Sequence, residues 1–204
     1  MPTAINNDVA VRYEVAGDVT KPSLVLIFGF SMTCEDWVDL GYVDRLRETF
    51  YVVCVEPRGH GCSTLPVDPS RYSLTSMATD VEAVIAALNL KHPILWGYSL
   101  GAKIALATVA RNPDRYSGLI LGGFELHSPV DQADDVVADR LAEGPHAWLS
   151  LWQQMFDVPE SLAGRLAAVD TQALSALRQA EAAWPGLAPA VERIACPVLL
   201  YAGE

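Results

Sequence analysis

Ser99 is the residue of this sequence whose surroundings best suit covalent chemistry. It lies in Gly97-Tyr98-Ser99-Leu100-Gly101, between an apolar run typical of a strand and an apolar run typical of a helix. A serine hydroxyl is a useful nucleophile only when it is exposed, oriented and next to a base. A sharp turn from strand to helix exposes the hydroxyl, and the two glycines remove side chains that would collide there. The pattern predicts a nucleophile elbow with Ser99 as the nucleophile, and an ordinary loop rich in Gly and Ser is the alternative.

Strand and helix patterns alternate through the part of the chain that must position this serine. Continuous apolar runs predict buried strands, and a looser alternation at 9–15 predicts one strand of a leading hairpin. The buried strands are predicted at 23–28, 51–55, 93–98 and 117–122, and the helices between them at 35–48, 76–88 and 102–110. Such alternation predicts the α/β class, with a mostly parallel sheet, an antiparallel leading strand and helices on both faces.

The alternation stops after Phe124, and this change divides the predicted domain. Residues 1–125 are predicted to form the core, residues 126–190 a helical insertion, and residues 191–204 a return to the core with a buried strand at 197–202. Within the insertion, Trp148, Trp152 and Phe156 recur at helical spacing. We interpret these three, together with Tyr98, as candidates to line a substrate pocket. The alternative is an apolar stripe that docks a helix onto the core.

Composition argues against several classes of partner. The formal net charge is −11, and no run of Lys and Arg suited to phosphate binding occurs, so nucleic acid is not expected as a partner. No apolar run approaches the roughly 20 residues of a membrane span, and the first residues do not follow a signal-peptide pattern. The four cysteines show no metal-type spacing. These features predict a cytoplasmic protein with no membrane partner and no metal, and they leave the oligomeric state open.

Four segments together resemble the α/β-hydrolase superfamily. They are the elbow, the loop Phe28-Gly29-Phe30, the loop Arg58-Gly59-His60-Gly61-Cys62-Ser63 and the final stretch from Pro197 to Glu204. The sequence is most similar to small serine esterases and enol-lactonases with a short helical lid. The resemblance implies that Ser99 is the nucleophile and that the backbone amides of Phe30 and Leu100 form the oxyanion hole. It also implies a small-molecule substrate, a carboxylic ester or lactone cleaved through an acyl-enzyme, and no cofactor.

The resemblance places the remaining catalytic groups outside this sequence. Relatives of this type have an acid after the strand matched by 197–202 and a histidine one strand later, so both are expected beyond Glu204. On this expectation the chain is truncated before the last strand and helix of the fold. His127 is the candidate base within the sequence, although a surface or lid-packing histidine is its ordinary interpretation.

Two other classes of function use the same elbow and stay open. One is a haloperoxidase-type or carbon–carbon bond hydrolase. The other is a non-catalytic ligand-binding protein or an inactive fragment on this scaffold.

Overall fold

A seven-stranded sheet runs through the computed structural model, which describes residues 1–126 and 135–203. The strands are β1 (Thr3–Asn6), β2 (Val9–Ala16), β3 (Ser23–Ile27), β4 (Tyr51–Val55), β5 (Ile94–Tyr98), β6 (Gly118–Gly122) and β7 (Val198–Tyr201). They lie in the order β1-β2-β4-β3-β5-β6-β7. The pairs β1–β2 and β2–β4 are antiparallel, and all later pairs are parallel. The predicted fold class is confirmed, including the leading antiparallel hairpin.

The helices of the described segments connect these strands and form a separate group before β7. They are α1 (Cys34–Asp39), α2 (Tyr42–Leu46), α3 (Leu74–Ala87), α4 (Leu100–Arg111), α5 (Val136–Ala142), α6 (Pro145–Met155), α7 (Glu160–Leu166), α8 (Thr171–Glu181) and α9 (Ala188–Val191). None of the helices in these segments has the length and apolarity that a bilayer crossing requires.

The central strands are apolar on both faces because helices cover both faces. All five residues of β4 are buried, and β3 is buried from Leu24 onwards. On one side α3 and α4 pack against the sheet, and most of α4 is buried, as its apolar sequence predicts. The start of α3 is fixed by Ser73, whose hydroxyl accepts a hydrogen bond from the backbone N–H of Ser76. These contacts hold the β5–α4 connection at the centre of the domain.

The single helix predicted at 35–48 is wrong, because the structure has two short helices there. Gly41 interrupts the segment with a φ of 77°, in the left-handed region that favours glycine. The break turns the chain, and Leu40, directly after α1, is 55% exposed. Trp37 of α1 is buried.

The burial predicted for the last strand is also wrong. A strand does form at Val198–Tyr201, parallel to β6, but all four of its side chains are exposed. Within the described residues, β6 is the element with which β7 packs extensively, so the side chains of β7 are not covered by helices. A continuous apolar run therefore identified a strand here without identifying its surroundings.

The helices α5 to α8 have an apolar centre of their own. Leu141, Trp148, Leu151, Leu166 and Leu174 are buried together in it. Two groups of ion pairs join these helices to the rest of the domain: Lys103 of α4 contacts Glu181 at 2.7 Å, and Arg165 contacts Asp36 and Asp39. These partly exposed pairs link the helical group to α4 and to α1.

Candidate active site

Ser99 occupies the turn between β5 and α4 in a conformation that few non-glycine residues adopt. Its φ is 55° and its ψ is −119°. Such a conformation costs about 1–3 kcal/mol and persists only where the surroundings enforce it. The backbone enforces it here, since the Ser99 N–H donates to the carbonyl of Gly122 at 2.8 Å and the Ser99 carbonyl accepts from Ala102 at 3.0 Å. The chain therefore turns at the carboxyl end of the parallel sheet, where the sequence predicted it would.

The two glycines that flank Ser99 are required by close backbone approach. A Cβ added to Gly97 would lie 2.2 Å from the carbonyl oxygen of Gly101. A Cβ added to Gly101 would lie 2.1 Å from the carbonyl oxygen of Ile27. Both distances are far below any real carbon–oxygen contact, so no side chain fits at either position. The reason proposed from sequence for these glycines matches the packing of the turn.

The loop after β3 passes directly beside Ser99. A Cβ added to Gly29 would lie 3.3 Å from the Cβ of Ser99. Phe28 on one side of this loop is buried, and the ring of Phe30 on the other side lies 5.7 Å from that of Trp148 and 6.1 Å from that of His60. In the part of the chain that the structure describes, the backbone N–H groups of Phe30 and Leu100 donate to no other protein group.

The loop at 56–63 is held by two buried ion pairs that sequence reasoning did not identify. Arg58 donates through Nε and Nη2 to the carboxylate of Asp80, at 2.7 Å each, and through Nη1 to the carbonyl of Arg71. Glu56 binds Arg12 and accepts from the backbone N–H groups of Cys34 and Cys62. Arg58 therefore anchors its loop and is not free to bind a substrate carboxylate.

A signal for one of these pairs was present in the sequence. Asp80 lies within the apolar face of α3, where the helical spacing predicts burial, and it is fully buried. A carboxylate at such a position requires a buried cation. Glu56 gives no comparable signal because it follows a strand, where polar residues are ordinary. Burial raises the pKa of the Glu56 carboxyl. The backbone N–H donors and the charge of Arg12 lower this pKa, but their effect is smaller.

His60 is buried in the same loop, and its surroundings favour the neutral ring. Burial lowers its pKa to about 4. Its Nδ1 lies 3.2 Å from the carbonyl oxygen of Arg58, so Nδ1 carries the proton and Nε2 carries a lone pair.

The candidate pocket residues form two groups of aromatic contacts. The rings of Trp148 and Trp152 in α6 and of Phe156 directly after it follow one another with centroid distances of 6.1 and 5.3 Å, and Trp148 adjoins Phe30. Trp148 is buried, whereas Phe156 is 57% exposed. Tyr98 lies apart from this group, 5.9 Å from Phe28 and 6.3 Å from Tyr201.

The candidate acid and base positions are only partly described. His127 and Glu204 lie outside the described residues, so the base predicted at His127 and the acid expected after Glu204 stay predictions. His92 precedes β5 at the opposite end of the sheet, and His146 is exposed at the start of α6. Glu125 is exposed just after β6.

Comparison with known proteins agrees with the fold. The profile of the alpha/beta hydrolase fold matches residues 22–187. The chain is 24% identical over 212 residues to 3-oxoadipate enol-lactonase 2 of Acinetobacter baylyi, which covers 98% of this chain and 78% of that protein. It is 27% identical over 219 residues to a 2-succinyl-6-hydroxy-2,4-cyclohexadiene-1-carboxylate synthase of Salmonella agona, covering 94% and 80% of the two chains.

A solved structure shows the same architecture. The enol-lactonase of Burkholderia xenovorans LB400 superposes with a TM-score of 0.83 at 22% identity, over 98% of this chain and 80% of that one. At this identity the superposition establishes the shared fold, and the profile match establishes the family. The chain therefore belongs to the α/β-hydrolase fold family and is one of its enzymes.

Proposed function

We propose that this chain is a serine hydrolase that cleaves a small or medium carboxylic ester or lactone through an acyl-enzyme on Ser99. The backbone conformation of Ser99 carries this proposal. A non-glycine residue at a φ of 55° is costly, and here it turns a serine out of the end of a strand. Close backbone contacts leave no room for a side chain at positions 97 and 101, two residues before and two after Ser99. This steric requirement supports a turn whose role is to expose the Ser99 hydroxyl.

The proposed oxyanion hole consists of the backbone amides of Phe30 and Leu100. Leu100 is the first residue of α4, where backbone N–H groups lack helical partners and the helix dipole is positive. Gly29 lets this loop pass close to Ser99, since a Cβ added to Gly29 would lie 3.3 Å from the Cβ of Ser99, which is a tight contact. Such fixed dipoles stabilise negative charge that appears only in the transition state, and loss of one typically costs about 3 kcal/mol.

In the proposed reaction, Ser99 Oγ attacks the carbonyl carbon while its proton passes to a histidine. The electron pair of the C=O bond moves to the oxygen, which the two amides bind. Collapse of this intermediate breaks the carbon–oxygen bond to the alcohol, which leaves with the proton, and water then releases the acid by the same steps in reverse. The family pattern places this histidine and its acid after the segment 197–202, and His127 is the alternative base in this sequence.

We propose that residues 126–190 act as a lid over this site, between a core at 1–125 and a core strand within 191–204. The contact between Trp148 and Phe30 supports this assignment because it joins the helical group to the proposed oxyanion loop. Trp148 and Trp152 then line the acyl side of the pocket, with Phe156 at its rim and Tyr98 on the opposite side. The cytoplasmic location and the lack of nucleic-acid and membrane partners stay predictions from composition.

Active-site labelling tests the assignment of the nucleophile. A fluorophosphonate probe is expected to modify one residue of the full chain, located by peptide mass spectrometry as Ser99, and hydrolysis of p-nitrophenyl acetate is expected to fall with labelling. Ser99→Ala should abolish both signals. Ser117→Ala is the matched control, because this hydroxyl donates to the carbonyl of His92 at the far end of the sheet. Labelling or esterase activity that survives Ser99→Ala contradicts the proposal.

A second pair of variants identifies the base. If His127 is the base, His127→Ala lowers esterase activity by about 1,000-fold or more, as removal of a triad member does. His146→Ala, a matched change in the same predicted insertion, leaves the activity unchanged. Equal activity of both variants excludes His127 as the base.

A further inference from the structure

The side chains that border the proposed acyl pocket are aromatic. The loop that passes Ser99 at Gly29 continues through Phe30, whose ring lies 5.7 Å from that of Trp148. Trp152, in the same helix as Trp148, is half-buried and packs against the apolar centre of the helical group. A substrate held between this loop and α6 would therefore meet rings rather than charged groups.

Half of the chain's cationic side chains lie at the opposite end of the sheet from Ser99. The sequence has 14 Lys and Arg residues, and all of them belong to the described segments. Half of them lie in the segments that lead into the parallel strands β3 to β7, and these segments meet the sheet at the amino ends of the strands. They are Lys21, Arg45, Arg47, Lys91, Arg111, Arg115 and Arg193. Ser99 follows the carboxyl end of β5, so these cations are remote from it.

Each of the other cations already contacts a carboxylate of the chain. The pairs are Arg12 with Glu14, Glu35 and Glu56; Arg58 with Asp80; Arg71 with Asp8; Lys103 with Glu181; Arg140 with Glu143; Arg165 with Asp36 and Asp39; and Arg178 with Asp135 and Glu181. Lys103 is the cation nearest to Ser99 along the chain, one turn into α4, and the side chain of its partner Glu181 is only 8% exposed. Among the described residues, no lysine or arginine at the carboxyl end of the sheet is therefore without a carboxylate partner.

This distribution of charge selects the class of substrate. A carboxylate on the acyl group would lose hydration between the rings without gaining a cation, and burial of an unpaired charge is costly. Glu125, exposed shortly after β6 at the same end of the sheet, opposes a second negative charge there. We propose that the substrate has an uncharged acyl group and that the site rejects acyl groups that carry a carboxylate. This inference rests on the proposed function of Ser99.

Two esters with the same acyl chain test the inference on the full chain at about pH 7.5. Mono-4-nitrophenyl pimelate carries a carboxylate at the far end of its acyl chain, and its methyl ester is uncharged. We expect kcat/KM, corrected for the rate of each ester with hydroxide, to be at least about 100-fold higher for the methyl ester. The ratio should persist in about 0.5 M NaCl, because salt screens distant charges but does not restore lost hydration. A ratio below about 10, or one that collapses in salt, overturns the inference.

Ser99→Ala separates this inference from the proposed function. The variant should lose hydrolysis of the methyl ester. Equal hydrolysis of both esters that depends on Ser99 overturns the inference alone and leaves the proposed function standing. If neither ester is hydrolysed through Ser99, the proposed function fails and the inference fails with it.

A cation added at the rim of the pocket tests whether a missing local partner causes the rejection. Phe156 is 57% exposed, so Phe156→Arg adds a charge there without filling the core, and we expect it to narrow the ratio about 5-fold. Val19→Arg is the matched control, because Val19 is 73% exposed in the turn before β3, at the amino end of the sheet. Equal ratios in the two folded variants refute the local account. Thermal unfolding establishes that each variant is folded, and the two esters on the native chain decide if Phe156→Arg is not.

Discussion

Replacement of Gly97 by alanine is the most direct test of how the fold positions Ser99. The added Cβ would lie 2.2 Å from the carbonyl oxygen of Gly101 and 2.6 Å from the Cα of Ala102. Both are backbone atoms of α4 or its first turn, so no side chain can rotate away. To reach an ordinary contact, the helix must move from β5 by roughly 1 Å, against a core packed at crystal density.

This displacement sets the expected loss of folding stability and the expected loss of esterase activity. Overpacking of a core costs about 1–3 kcal/mol and more where backbone must shift, so we expect a loss of at least about 3 kcal/mol. Because a misplacement near 1 Å costs about 100-fold in rate, any folded fraction should have esterase activity lowered by about that factor. Gly97 itself is not in the left-handed region, so backbone strain adds nothing to the expected effect.

Urea unfolding measures the change in stability, with Gly164→Ala as the matched control. Gly164 lies inside α7, and a Cβ there meets nothing within 4 Å. Alanine at this position should raise the free energy of unfolding by about 0.5–1 kcal/mol. For Gly97→Ala the midpoint should fall by about 1 M or more. A Gly97→Ala protein with an unchanged midpoint and full esterase activity would refute the steric account of the elbow.

Three further outcomes are expected. Asp80→Asn should lower the free energy of unfolding by about 3–5 kcal/mol in urea titrations, because it leaves the Arg58 guanidinium buried with an uncompensated charge; an unchanged midpoint contradicts this. The pKa of His60 is lowered to about 4 in the folded chain, so its contribution to stability is present above pH 6.5 and declines as pH falls from 6.5 towards 4. Its ring NMR signals should not titrate between pH 8 and pH 5.5, and a midpoint near 6.5 opposes the burial argument. The exposed Cys62 thiol should react with a disulfide reagent in the folded protein, whereas Cys34, whose burial raises its pKa, should react only on unfolding; equal rates of modification are the contrary result.

The sequence itself specified the order of the strands and the position of the elbow. Buried parallel strands require apolar residues on both faces, so β3, β4 and β6 are visible as continuous runs. The glycines of the elbow are visible because their cause is local: Gly97, Gly101 and Ser99 lie within one turn of chain. A short segment with such strict steric needs leaves few residue types that satisfy them.

Only the tertiary structure decided which elements are covered and which charges meet. The run at β7 has the composition of a buried strand, yet its side chains are exposed, since burial depends on neighbours distant in sequence. The buried pair of Arg58 and Asp80 joins residues 22 positions apart, and Arg165 reaches Asp36 across 129 positions. Local patterns encode backbone geometry and periodicity, whereas the partner of a buried charge or an apolar face is set by long-range packing that no local pattern contains.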